Sequence, residues 1–201
     1  MRAIVGNGPL GGRDRERIAA ADHIIRFNLT PNRLQGERTD ELFLSCSSKQ
    51  IGEYLSNGIF RDDPAFRDAT RLVMTYHPDI IRYYMPQPNL LSRLIGRRND
   101  WSALCEKIAA ERGKETETLP AELYRAACEI LGIDIEREAF FPSSGFLAVL
   151  RELQDAPQTS RLEIFGFGFK GWKRHRWEAE KAHISRLAAD GALVLHPVNP
   201  S

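Results

Sequence analysis

The 201-residue chain is short of cysteine: Cys46, Cys105 and Cys128 are far apart and form no C-x-x-C pair. That argues against a disulfide scaffold and against a thiolate zinc site, and it suits a reducing cytoplasm. No apolar run approaches the roughly 20 residues of a membrane span, so only peripheral membrane association stays open. No secretory signal is visible, because Met1 and Arg2 lead directly into an apolar stretch. The net charge of +1 gives no global drive toward nucleic acid. No internal repeat or low-complexity linker divides the chain, which therefore reads as one domain over residues 1–201. Acidic pairs of the D-x-D kind are missing from any loop that could hold a metal; Asp62-Asp63 reads as surface. Neither a metal nor a cofactor is expected.

What is present is an alternation of two periodicities. Apolar strands are predicted at 2–5, 23–27, 40–46, 71–76 and 161–168, with a last one at ALVLHP near the end. Helical patterns fall at 11–21, 49–56, 100–112, 120–131, 144–153 and 176–189. Strands separated by helices imply an α/β fold, Rossmann-like, whose mostly parallel sheet is covered on both faces. The stretch 76–114 is the least regular, with Pro78, Pro86 and Pro88 and the run GRRND. It is the expected mobile or acceptor-facing insertion.

Three stretches carry chemistry. The first is VGNGPLGG, where Gly6-Asn7-Gly8-Pro9-Leu10-Gly11 matches G-x-G-x-x-G after a strand. A dinucleotide site would need an acid at the end of the second strand, but HIIRF runs into Asn28. The phosphate logic survives, because small residues let backbone N–H groups reach an anion at a helix start. A ligand-free tight turn explains the same glycines. The second stretch is FFPSSGFLAVLREL, where Ser143 or Ser144 caps a helix whose first turn could bind an anion. The third, EIFGFGFKGWKRHRWEAE, ends a strand at Gly166 and continues into a basic, aromatic loop with His175 and, five residues on, Glu180. Ligands of α/β sheets bind at such carboxyl edges.

Together the three resemble the sialylmotifs of the eukaryotic-type sialyltransferases, glycosyltransferase family 29. VGNGPLGG with Arg26, Asn28 and Pro31 is similar to the long motif; FPSSGFLAVL with EIFGFG is similar to the small motif; HRWEAE is similar to the H-x4-E of the very short motif. The resemblance implies a sialyltransferase-like variant of the GT-A fold and an inverting transferase of short bacterial type. It implies a CMP-activated acidic 2-keto sugar as donor, sialic acid or Kdo, and a glycan or glycolipid acceptor. Carried over by position, Gly6, Asn7, Gly8, Asn28, Ser143, Ser144, Gly145 and Gly166 would bind the nucleotide donor. His175 would be the base and Glu180 would support the same site. The cysteines that join two of these motifs in the animal enzymes are absent, as are the membrane anchor and a separate upstream histidine motif. Lys173, Arg174 or Arg176 could then stabilise the leaving group.

Those residue types fit the reaction. A neutral imidazole can take the proton of a sugar hydroxyl, and the positive loop should keep His175 neutral. Backbone donors and nearby cations can offset the charge growing on a departing phosphate. The aromatic group Tyr76, His77, Tyr83 and Tyr84 could line an acceptor cleft, with core packing the competing use. Two other readings stay open: a different nucleotide-dependent enzyme on a Rossmann-like sheet, and a catalytically silent nucleotide- or glycan-binding module.

Overall fold

The computed structural model describes residues 1–85, 87, 89–91, 99–155 and 161–198. Seven strands form one sheet: β1 (Arg2–Val5), β2 (His23–Phe27), β3 (Glu41–Leu44), β4 (Arg71–Met74), β5 (Glu115–Thr118), β6 (Leu162–Phe165) and β7 (Val194–Leu195). Their order is β5-β4-β3-β2-β1-β6-β7, and every neighbouring pair is parallel. The sheet is thus wholly, not mostly, parallel. Such a sheet must be covered on both sides, and its side chains alternate between two cores. Ile4, Ile25, Phe27, Phe43, Val73 and Ile164 point to one face. There they meet α4 (Pro78–Tyr84), α6 (Ala121–Ile130), α7 (Ser144–Asp155) and α8 (Trp177–Ala189). Leu42, Leu44, Leu72 and Met74 point to the other, against α2 (Lys49–Ser56), α3 (Pro64–Asp68) and α5 (Ser102–Glu111). Ala3, Val5, Ile24 and Phe165 extend that second face under α1 (Gly12–Ala19).

The chain winds outward from β1 to β5 and then returns to place β6 on the other side of β1. The winding direction therefore reverses between β1 and β6. At such a reversal the loops leaving the two strands turn to opposite faces and open a crevice at the carboxyl edge.

The amino edge of the same sheet is tied by ions. Arg151 is buried and donates to Glu41 (3.0 Å), Glu117 (2.6 Å) and Glu152 (2.5 Å). Arg2 also pairs with Glu152, and Arg71 donates to Glu115 at 2.7 Å. The hollow of about 260 Å³ at this edge is lined by charges that these pairs engage.

Three elements depart from the sequence expectation. β5 reads ETET; it is an edge strand with no apolar face, half exposed and charged. Charged edges resist pairing with other chains, and they also erase the apolar alternation. α3 and α4 begin at Pro64 and Pro78, capped by Asp63 and His77. Proline at the first helical position starts a helix, so Pro78 opens an element within the stretch whose prolines suggest irregularity. With α4 and α5 in place, much of 76–114 is packed: Ile80, Ile81, Cys105 and Ile108 are all buried. Of that stretch, positions 86, 88 and 92–98 lie outside the described residues.

Candidate functional site

A cleft of about 940 Å³ opens at the carboxyl edge, at the reversal between β1 and β6. Gly6, Asn7, Gly8, Asn28, Ser143, Ser144, Gly145, Gly166, His175 and Glu180 all line it. Residues drawn from both halves of the chain thus meet in one volume, large enough for a nucleotide sugar.

The glycines of the opening loop answer to packing. Gly6 N donates to Phe165 O at 2.8 Å and Gly8 N to Gly166 O at 2.9 Å. A Cβ on Gly6 or on Gly8 would sit 2.6 Å from Gly166 O, closer than any real side chain. Gly166 itself has φ +66°, which favours glycine. The two loops are therefore laced together by the N–H groups that were expected to hold an anion. Gly11 N is engaged as well, donating to Asp14 at 2.9 Å. The N–H groups of Gly6, Gly8 and Gly11 are therefore not the ones that could meet an anion. Asn32 fixes the loop from the other side, donating to Gly6 O (2.8 Å) and Gly8 O (2.6 Å).

Asn28 sits just past β2 with φ +53°, a left-handed conformation that asparagine tolerates. Its Oδ1 accepts from Ser45 N (2.9 Å) and Ser45 Oγ (3.0 Å). A backbone N–H can only donate, so the amide orientation is fixed and Nδ2 is the group Asn28 can offer a ligand. Asn7 Nδ2 contacts Phe27 O at 3.3 Å.

The start of α7 lies in the wall of the cleft. Ser143 Oγ accepts from Phe146 N at 3.1 Å, and Leu147 N bonds Ser143 O at 3.0 Å. Ser143 in turn donates both its N–H (2.8 Å) and its Oγ–H (2.6 Å) to Glu180. The Ser144 and Gly145 N–H groups are then the helix donors that face the cleft. Glu180 is 1% exposed, and burial pushes its carboxyl up to about 7 despite the two Ser143 bonds that favour ionisation. A ring packs close by, since a Cβ on Gly145 would lie 2.9 Å from Phe167.

His175 stands before α8, its ring edge-on to Trp172 (5.2 Å) and Trp177 (4.8 Å). Its Nδ1 lies 2.7 Å from Phe141 O. A carbonyl accepts, so Nδ1 carries the proton and the neutral ring keeps its lone pair on Nε2. Burial lowers the pKa of His175, against the raising effect of the Phe141 carbonyl. The direction is the expected one; the cause is desolvation, not the positive loop. Phe141 also donates its N–H to Arg174 O (2.8 Å) and stacks on Trp172 (5.4 Å, 7°).

Lys173, Arg174 and Arg176 do not line the cleft. Arg176 donates to Glu138 at 2.7 Å and covers Phe140, while Arg174 lies 5.9 Å from the Trp172 ring centre. The lysines that do line it among the described residues are Lys49 and Lys170. Sequence reasoning missed Ser45, Asn32 and the start of α2; the N-cap pattern Ser48-Lys49-Gln50 was the available signal for the last. Tyr76 is buried and donates to Pro142 O at 2.9 Å, whereas Tyr83 is exposed. His77 caps α4, accepting from Asp79 N at 3.2 Å.

No protein family model matches the chain. A crystal structure of a mammalian sialyltransferase in complex with Gal-beta-1-3GalNAc-ortho-nitrophenol superimposes with a TM-score of 0.56. The match covers 98% of this chain and 69% of that one, at 14% identity. A second mammalian sialyltransferase structure gives the same figures. The fold is that of the sialyltransferases. In sequence, the chain is similar to the urease operon 23 kDa accessory protein of Rhizobium meliloti strain 1021, 27% identical over 96% of this chain and 92% of that protein. Nothing in the residues had pointed to a urease operon. Among the described residues, no group of three or more His, Cys, Asp or Glu could hold a metal, and no helix is long and apolar enough to cross a membrane.

Proposed function

We propose that the chain is an inverting glycosyltransferase that moves an acidic 2-keto sugar, sialic acid or Kdo, from a CMP-activated donor to a glycan hydroxyl without a metal. The observation that carries this reading is His175, held with Nδ1 on Phe141 O inside a cleft of nucleotide-sugar size on a sialyltransferase fold. Nε2 takes the acceptor hydroxyl proton as oxygen bonds to the anomeric carbon. On the opposite side the bond from that carbon to the phosphate oxygen breaks, and CMP leaves with the electron pair. The Ser144 and Gly145 N–H groups and Lys170 offset the charge that gathers on the phosphate. Asn7 and Asn28 hold the nucleoside, while Gly6, Gly8 and Gly166 hold the wall against which it rests. Glu180 acts through Ser143, which it fixes at the head of α7. A cytoplasmic site of action is supported by Cys46, Cys105 and Cys128, all free and buried, and a bacterial source by the Rhizobium relative.

A second reading is favoured by the likeness to an accessory protein: the cleft binds a cytidine nucleotide and turns nothing over. Calorimetric titration with CMP, with AMP and NAD as controls, tests what both share. Micromolar CMP binding that is lost in Asn28→Ala and Ser144→Ala is expected; preference for NAD overturns both. Donor hydrolysis that disappears in His175→Ala separates the first reading from the second.

A further inference from the structure

Lys173 and Arg174 do not reach the cleft wall, so they are misplaced for the leaving phosphate. They adjoin it instead, lying in the chain between Trp172 and His175, which both line the cleft. From Lys170 to Arg176 the chain reads KGWKRHR, four cations and no acid, in a protein whose whole net charge is +1. Arg176 is engaged by Glu138. Among the described residues no carboxylate lies within ion-pair distance of Lys170, Lys173 or Arg174. Trp172 stands in the same run, half exposed at 51%, and lines the cleft. Its back is supported by the Phe141 ring, and its edge meets His175.

Position decides what this run would touch. The base must sit against the acceptor hydroxyl, so whatever neighbours His175 on the outer side neighbours the acceptor. An indole packs against the C–H face of a sugar ring. A guanidinium beside that indole pairs with a carboxylate or phosphate on the same sugar. We propose that the acceptor is an acidic carbohydrate, a glycan bearing a carboxylate or phosphate, gripped by Trp172 with Lys173 and Arg174. This inference rests on the glycosyltransferase reading and adds the acceptor class to it. A surface charge run facing water would need none of this arrangement; here the run adjoins the cleft and carries an exposed aromatic ring at its centre.

The test uses matched disaccharides, each supplied neutral and with a carboxylate or a phosphate at carbon 6 of the terminal sugar. Binding to the CMP-loaded protein is followed by ligand-observed NMR, and transfer from CMP-sialic acid and CMP-Kdo is followed by CMP release. Acidic members should bind and react at least fivefold better than neutral ones, because each exposed ion pair supplies up to about 1 kcal/mol. That preference should fall as salt rises from 0.05 to 0.5 M. The double variant Lys173→Gln/Arg174→Gln should bring the acidic-to-neutral ratio close to one, and Trp172→Ala should weaken both members together. Equal response to both members, a ratio unmoved by the double variant, or capture of an oligonucleotide in place of any sugar overturns the proposal. Donor hydrolysis in water needs no acceptor and is read separately. Its absence refutes the transferase reading, while an acidic preference in the NMR binding arm would still stand as a property of this run.

Discussion

Replacing Glu180 with glutamine should change how the stability of this protein depends on pH. The side chain is 1% exposed, and its carboxyl titrates at about 7 in the folded protein against an ordinary 4.5. Burial is the larger influence, and the two bonds from Ser143 oppose it. The folded state therefore holds this proton more tightly than the unfolded chain does. Stability from this group is fully present below about 4.5 and is lost as pH rises through about 7. At about 1.4 kcal/mol per pH unit, the loss amounts to about 3 kcal/mol. Glutamine keeps the shape, offers Ser143 N–H an acceptor and does not titrate. Urea unfolding of both proteins from pH 5 to pH 8 should show the unaltered protein losing about 2.5 kcal/mol relative to Glu180→Gln, the part of the loss that falls in this window, with unchanged m-values. His175 and His183 titrate in both proteins and cancel in the difference. Parallel stability curves would refute the reasoning, since they would mean that the Glu180 carboxyl is solvated or that its Ser143 bonds outweigh burial.

Other outcomes follow from the same geometry. His175→Gln should lower transfer about 10²- to 10⁴-fold while CMP still binds, measured by CMP release and calorimetry. In the unaltered protein the rate should fall on the acid side, through a pKa below 6.5, because burial depresses that imidazole and only its neutral form accepts a proton. Gly8→Ala forces a methyl group against Gly166 O, 2.6 Å away, and should cost about 1–3 kcal/mol in urea unfolding; a neutral effect would mean that the two loops are not locked together. Arg151→Ala takes the buried cation from Glu41 and Glu152, leaving Arg71 and Arg2 as their remaining partners, and should cost about 3 kcal/mol, yet leave the CMP titration unchanged in protein that remains folded.

The buried strands were legible because a sheet covered on both faces writes itself as short apolar runs: RAIV and HIIRF fall on the residues that form β1 and β2. The polar edge strand β5 was not, because nothing buries it and no apolar signal marks it. The site residues were legible one by one, as motifs, and ten of them do share one cleft. What each does there was less so. A glycine that admits a phosphate and a glycine that admits a neighbouring carbonyl look alike in sequence, and Gly6 and Gly8 are of the second kind. The cations of KGWKRHR looked available to a leaving group, but side-chain direction is decided by packing; Phe140, Trp172 and Glu138 draw Arg174 and Arg176 outward.

Phe141 has a consequence beyond its own contacts. Its carbonyl sets the tautomer of His175, its N–H ties the backbone at Arg174, and its ring backs Trp172. The orientation of His175 thus belongs to a seam between two loops and to no single strand or helix. A lineage could loosen that seam by one or two substitutions and keep the seven-stranded sheet intact. Such descendants would keep the fold and the cleft while His175 lost its fixed tautomer, so the orientation of that ring can change faster than the scaffold that carries it.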